Sequence, residues 1–209
     1  MKKKVTGDNI KTEIGKWTFG GKVSNTFDSH IKKSIPLYEW CHEIGVNLSD
    51  FFLKDNSACY DIGCSTGTFI KKLSDRNKKK KKIKFYGIDE VNPMIKKAKR
   101  KCKKNEDIIF LNKNFLNLKF KKSSFISSYF TIAFVEPSKR QKAFNNFYNS
   151  LDWGGGLIIF DKVRAPDARF QDMMTTIYNE YKVSAGYSPD EILNKTLSLK
   201  GILDPFSSK

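Results

Sequence analysis

The chain alternates between two kinds of segment. From residue 57 to residue 163, short runs rich in β-branched and aromatic residues take turns with stretches whose apolar residues recur at helical spacing. "SACYDIG" (57–63), "IKFYGID" (83–89), "DIIFLNK" (107–113), "SSFISSYFTIAF" (123–134) and "GGGLIIFDKV" (154–163) read as strands. Between them, "TGTFIKKLSDRN", "NPMIKKAKRKCKK" and "PSKRQKAFNNFYNSLD" read as helices, with Asn92 as an N-cap and Pro93 and Pro137 at helix starts. Strict alternation leaves few topologies. The strands run parallel, joined by crossover helices, and make an α/β sheet with helices on both faces. Ligands bind such sheets beyond the carboxyl ends of the strands, where the strand order reverses.

The flanks read as helical. Residues 23–53 form helix interrupted at "SIPLY", because Pro36 disfavours a helical residue before it. "DARFQDMMTTIYNEYK" and "SPDEILNKTLSL" follow the last strand, and Ser188 with Glu191 is spaced as a capping box. Residues 1–15 are polar and are expected to form a flexible N-terminal arm. Residues 16–209 are expected to form a single domain, since no repeat or linker divides them.

Composition narrows the function classes. Apolar residues at 39% and aromatics at 13% suit a globular core rather than a disordered chain. No apolar run approaches ~20 residues, so no membrane helix is expected. The basic start lacks the apolar segment of a secretory signal. Cys41, Cys59, Cys64 and Cys102 show no C-x-x-C spacing, and reduced thiols in a cytoplasmic protein are expected. With His30 and His42 alone, no metal site is expected. The formal charge is +17, but lysine outnumbers arginine 34 to 5, a poor composition for bidentate phosphate reading. The run Lys78–Lys82 reads as a solvated connection with, at most, a weak nucleic-acid contact.

One turn carries the chemistry. "YDIGCSTGTF" (60–69) ends the first strand and opens the next helix. Gly63 and Gly67 allow close backbone approach, and Cys64 and Ser65 are expected to offer backbone N–H groups there. Asp61, just before the turn, is placed to receive an ammonium group. Asp89 ends the second strand, where an acid accepts from the two hydroxyls of a ribose. The dinucleotide fingerprint G-x-G-x-x-G fails at Ser65 and Thr68, and no P-loop lysine is in place. D-x-G-x-x-x-G with a ribose-binding acid remains, the pattern of S-adenosyl-L-methionine (SAM) binding in Rossmann-like, class I methyltransferases.

"WTFGGKVSNTFDSHIKKSIPLY", "YDIGCSTGTF", "GIDEVNPMI", "FTIAFVEPSKRQKAF" and "AGYSPDEILNKTLSLKGIL" together resemble the carboxy-S-adenosyl-L-methionine synthases. The resemblance implies a SAM-methyltransferase fold and synthesis of carboxy-SAM from SAM and prephenate, for tRNA wobble-uridine modification. It also implies that Tyr38, Gly63, Cys64, Ser65 and Asp89 are cofactor positions. Glu90, Met94, Asn114, Phe115 and Tyr129 complete the expected cofactor-binding set, with Met94 against adenine. No catalytic residue is assigned. Three positions depart from the family. Asn114 replaces an acid, Tyr129 replaces an asparagine, and Thr196 replaces the arginine that grips the extra carboxylate. The family's C-terminal strand pair is also expected to be lacking.

The expected function is therefore a SAM-dependent transferase of unknown acceptor, holding SAM or S-adenosylhomocysteine. The alternatives are a carboxy-SAM synthase and a non-catalytic SAM- or nucleic-acid-binding relative. A homodimer is expected through Phe170, Met173, Met174 and Tyr178, apolar residues recurring at helical spacing.

Overall fold

The computed structural model describes residues 3–21 and 23–207. Their contacts divide the chain into two compact units, one of residues 1–38 with 162–209 and one of residues 39–161.

In the first unit, β1 (Lys4–Val5) and β2 (Lys11–Thr12) pair antiparallel, and α1 (Val23–Ser34) follows. The expected arm is folded over its described residues. Thr6 and Ile10 are buried, Trp17 N–H donates to the Ser198 carbonyl, and Gly7 (φ +96°) lies against the Tyr187 ring. An aromatic ring and backbone hydrogen bonds anchor it despite its polar composition. α2 (Tyr38–Phe52) begins after the break at Pro36, where Leu37 takes φ +57°.

The second unit is a five-stranded sheet. β3 (Ala58–Ile62), β4 (Lys84–Asp89), β5 (Ile108–Asn112), β6 (Ser123–Tyr129) and β7 (Leu151–Phe160) stand in the order β5-β4-β3-β6-β7, every pair parallel. α3 (Thr68–Asn77), α4 (Asn92–Lys101) and α5 (Pro137–Ser150) are the crossovers. The chain starts in the middle at β3, builds outward to β5, and returns to β6. The order therefore reverses between β3 and β6. Val46 and Leu53 on one side, and Phe69, Ile70 and Leu73 of α3, close a core over Cys59, Phe85 and Phe125. On β3 these residues alternate with Tyr60, which stacks on Tyr86 and meets the edge of Phe120. α6 (Ala168–Ser184) and α7 (Pro189–Ser198) return to the first unit, α7 with the capping box expected from Ser188 and Glu191.

Three boundaries differ from the sequence pattern. β6 ends at Tyr129, not at residue 134: Phe130 turns to φ +53° and Ile132–Phe134 forms a 3-10 turn, where Asp161 Oδ2 accepts the Ala133 N–H. Apolar residues over 130–134 gave the same hydrophobic signal in either conformation. β7 starts at Leu151 and carries the glycine run inside it. The register jumps from Ser123↔Leu151 to Phe125↔Gly156, a bulge that Gly154 (φ +75°) accommodates. Gly156 leaves room for the Phe52 ring. Finally, Val91 caps α4 and Asn92 is its first residue. Asp89 supplies the acceptor at this start, taking the Val91 N–H on Oδ1 at 2.8 Å.

Candidate functional site

The sheet collects its polar residues at one end. Asp61 is the penultimate residue of β3 and the glycine turn follows it, Asp89 ends β4 with Glu90 next, Asn114 follows β5, and Tyr129 ends β6. Because all strands run parallel, these residues share the carboxyl edge on both sides of the order reversal.

The turn is built from the backbone outward. Gly63 (φ +70°), Ser65 (φ +49°) and Gly67 (φ +77°) take left-handed conformations. The N–H groups of Gly63 and Cys64 both donate to the Ile88 carbonyl, at 2.8 and 3.0 Å. Ser65 N–H donates to Asp89 Oδ2 at 2.9 Å, and Gly67 N–H to the Cys64 carbonyl. The donors expected to face a ligand are thus spent on joining the turn to β4. The space freed at Gly63 also has an occupant: a Cβ there would overlap Thr131 Oγ1. Thr131 in turn donates to the Ile62 and Tyr129 carbonyls. A Cβ on Gly67 would press on Ala98 of α4 at 3.0 Å. Lys101, at the end of α4, donates from Nζ to Thr66 and Thr68 Oγ1 at the start of α3.

The two acids differ in their surroundings. Asp61 is 2% exposed. Its Oδ1 accepts from Ser127 Oγ at 3.1 Å, across the register Asp61↔Ser127, and its Oδ2 is buried with no hydrogen-bond partner. Burial pushes its pKa up to about 7, against the Ser127 hydrogen bond, with the Asp89 charge adding to the rise. Asp89 is half-buried, and both its oxygens accept backbone N–H groups. Burial raises its pKa, opposed by those two hydrogen bonds.

The Asp61 shift has a measurable sign. Between the ordinary carboxylate range near ~4 and about 7, the folded protein holds a proton that the unfolded chain has lost. Stability of the ligand-free protein should therefore fall as pH rises across that window and level off above it. Asp61→Asn, neutral at every pH, should remove this slope. Urea midpoints at pH 5, 6, 7 and 8 test it, and parallel pH profiles for the two proteins would refute the assignment.

The remaining expected residues fall in different settings. Cys64 is buried, with its thiol held well above the usual range by burial first. Glu90 is exposed and accepts from Asn114 Nδ2 at 2.8 Å. Asn114 Oδ1 accepts the Leu116 N–H, capping a short 3-10 turn. Phe115 is half-buried and stacks on Phe147. Met94, expected against adenine, is 1% exposed and belongs to the apolar face of α4. Tyr129 sits among the Phe69, Phe160 and His42 rings, and its hydroxyl donates to the Cys41 carbonyl at 3.2 Å. Gly45 makes room for that hydroxyl. Tyr38 is the first residue of α2 and belongs to the first unit. Among the described residues no cluster of metal-ligating side chains exists, and no helix is long and apolar enough to cross a membrane. Sequence reasoning missed Ser127 and Thr131, which hold Asp61 and Gly63. Their signal is positional: Ser127 lies within β6, the strand beside β3, opposite Asp61, and Thr131 lies just beyond its end.

Comparison with known proteins agrees with this architecture. Residues 60–155, from within β3 into β7, match the family model described as "Methyltransferase domain". The carboxy-S-adenosyl-L-methionine synthase of Staphylococcus epidermidis is 31% identical over 194 residues, covering 92% of this chain and 84% of its own length. That of Helicobacter pylori strain J99 is 34% identical over 206 residues, covering 93% and 82%. Among solved structures, the plantazolicin methyltransferase BpumL in complex with SAH superposes with a TM-score of 0.60 at 16% identity, over 87% of this chain and 63% of that one. The Haemonchus contortus phosphoethanolamine N-methyltransferase 1 gives 0.52 at 15% identity, over 68% and 32%. These likenesses carry the fold, a SAM-methyltransferase α/β sheet. With sequence similarity sustained over more than nine-tenths of its length, the chain belongs to the carboxy-S-adenosyl-L-methionine synthase family.

Proposed function

We propose that the protein is a SAM-dependent transferase that makes carboxy-SAM from SAM and prephenate. The observation that carries this reading is the pair of acids at the glycine turn, in a chain that aligns with carboxy-SAM synthases from end to end of the sheet. In this reading Asp89 accepts from the ribose hydroxyls with the lone pairs its two N–H partners leave open. The cofactor's ammonium group reaches the unpartnered Oδ2 of Asp61 and draws that carboxyl into its charged form. Gly63, Cys64, Ser65 and Gly67 act by shape, holding the turn against β4. Asn114 and Glu90 form the rim on the β5 side with Phe115 beside them, and Tyr129 stands on the β6 side. The substrate pair supplies the chemistry: prephenate loses its ring carboxylate as carbon dioxide and its ring hydroxyl as hydroxide, leaving phenylpyruvate, the hydroxide takes a proton from the sulfonium methyl to give water, and the resulting carbanion bonds to the carbon dioxide.

A second reading, plain methyl transfer to an unidentified acceptor, is favoured by one residue. Thr196 is exposed, and its hydroxyl donates to the Ile192 carbonyl one turn back in α7. It offers no charge to a carboxylate. Thr196→Arg should then raise affinity for carboxy-SAM relative to SAM at least about tenfold, since a bidentate guanidinium adds charge-assisted bonds of ~1.5–3 kcal/mol each. Titration calorimetry with both ligands checks it. An unchanged ratio would mean that this chain grips the carboxylate elsewhere, or makes no carboxy-SAM.

A homodimer belongs to the same reading. Phe170, Met173, Met174 and Ile177 are between 43% and 55% exposed on α6, an apolar stripe suited to a second copy. Tyr178 does not join it: its hydroxyl donates to the Ser34 carbonyl, and Lys182 Nζ sits 4.0 Å from its ring centroid. Light scattering should report twice the chain mass, and Met174→Glu should halve it. Any contact of Lys78–Lys82 with nucleic acid would be sequence-independent and lost as salt rises. The Lys80 ammonium already donates to Asn77 Oδ1 at 2.8 Å.

A further inference from the structure

β6 places a serine where the interior of a parallel sheet ordinarily holds an apolar side chain. Ser127 is 0% exposed. A hydroxyl buried that deeply is costly unless it is hydrogen-bonded. Ser127 Oγ has two acceptors in reach, the Tyr60 carbonyl at 3.3 Å and Asp61 Oδ1 at 3.1 Å. Its single proton serves one of them at a time. When Asp61 is charged, the hydroxyl donates to Oδ1. When Asp61 carries a proton on Oδ1, that proton is donated to Ser127 Oγ, and the hydroxyl donates to the Tyr60 carbonyl. Rotation of one O–H bond thus satisfies both states with every heavy atom in place. In both, Asp61 Oδ2 keeps no hydrogen-bond partner. Ser127 lies opposite Asp61 in the register of β3 and β6, the two strands that flank the order reversal.

We propose that Ser127 is a positioning residue of the cofactor site: its hydroxyl holds Asp61 Oδ1 in both protonation states, which leaves Oδ2 to take the cofactor's ammonium group, and cofactor binding releases the proton of the ligand-free carboxyl to solvent. This role rests on the reading of Asp61 as the ammonium acceptor and adds proton linkage to it. The electrostatics agree. Burial first raises Asp61 to about 7, the Ser127 hydrogen bond opposes the rise, and the Asp89 charge on β4 adds to it. Two thiols also feel the Asp61 charge, Cys59 on β3 and Cys64 in the turn. Burial holds both well above their ordinary range, so both are neutral near pH 7. A cation brought to Oδ2 favours the charged carboxylate. Below about pH 7 the cofactor must displace a proton, so its affinity should rise with pH and level off above that point. Removing the Ser127 hydroxyl takes away a donor to the charged form, so the midpoint should move up.

The test is calorimetric titration of the full chain with SAM at about pH 5.5, 6.5 and 7.5, a range in which an α-amino group stays largely protonated. Wild type, Ser127→Ala, Ser127→Thr and Asp61→Asn are compared. Wild-type affinity should rise about eightfold over the first step and about threefold over the second. Ser127→Ala should rise about eightfold over both, its midpoint having moved above the range. Ser127→Thr keeps the hydroxyl and should show the wild-type profile. Asp61→Asn should bind more weakly and show no pH dependence. If Ser127→Ala fails to fold, Ser127→Cys, with its weak donor, carries the same comparison. A Ser127→Ala protein that keeps the wild-type profile overturns the proposal, even if its affinity is uniformly lower, because the serine would then act by packing alone. So does a folded Ser127→Thr with the Ser127→Ala profile. The underlying reading fails separately: Asp61→Asn would then match wild type in affinity and profile, or wild type would bind no SAM.

Discussion

Asp89→Ala should weaken SAM binding about a hundredfold. The carboxylate is expected to accept from both ribose hydroxyls, and charge-assisted bonds of ~1.5 kcal/mol each sum to ~3 kcal/mol, with tenfold for every ~1.4. The substitution also releases the Ser65 and Val91 N–H groups, which now fix the glycine turn and the start of α4. Asp89→Asn separates the two contributions. It keeps one acceptor oxygen and the same shape, so it should retain more of the turn while losing the charge. Asp61→Asn should cost less than Asp89→Ala, because one ammonium contact is at stake. Calorimetric titration of the three proteins, each first shown to be folded by circular dichroism, gives the order. Equal affinity in wild type and Asp89→Ala would remove the ribose assignment.

Gly63→Ala should destabilise the ligand-free protein by about 2–5 kcal/mol. Two costs add. An alanine at φ +70° is strained by ~1–2 kcal/mol, and its Cβ would overlap Thr131 Oγ1 and come within 2.7 Å of Thr131 Cγ2. Overpacking of that kind costs ~1–3 kcal/mol. Because Thr131 is tied to the Ile62 and Tyr129 carbonyls, it does not rotate away freely. Thr131→Gly should recover the packing part and leave the strain, so the double variant should be more stable than Gly63→Ala alone. Guanidinium unfolding measures both. A single variant within ~0.5 kcal/mol of wild type would show that the turn relaxes at no cost.

The sheet was legible because its signals are local. Five apolar runs, three helical patterns and the proline and glycine punctuation fix strand order classes without any knowledge of contacts. What was not legible depended on partners far away in sequence. Nothing near Gly63 announces that Thr131 fills its missing Cβ, or that its N–H is pledged to Ile88. Apolar residues over 130–134 extend the β6 pattern, and the turn at Phe130 is set by Asp161, 31 residues on. Met94 illustrates the same limit. Its place after Asp89 suggests a ligand contact, while its spacing with Ile95 and Ala98 puts it on the buried face of α4. The polar start of the chain looks mobile by composition, and Tyr187 and the Ser198 carbonyl hold it in place. The positions of Asp61 and Asp89 at the carboxyl edge were visible in advance because the sequence marks strand ends directly.

The central claim is tested most directly by incubating the purified protein with SAM and prephenate and analysing the nucleosides by mass spectrometry. A carboxy-SAM synthase should yield a product heavier than SAM by one carbon dioxide, dependent on prephenate and abolished in Asp89→Ala. Unchanged SAM, or S-adenosylhomocysteine without the carboxylated product, would contradict the account.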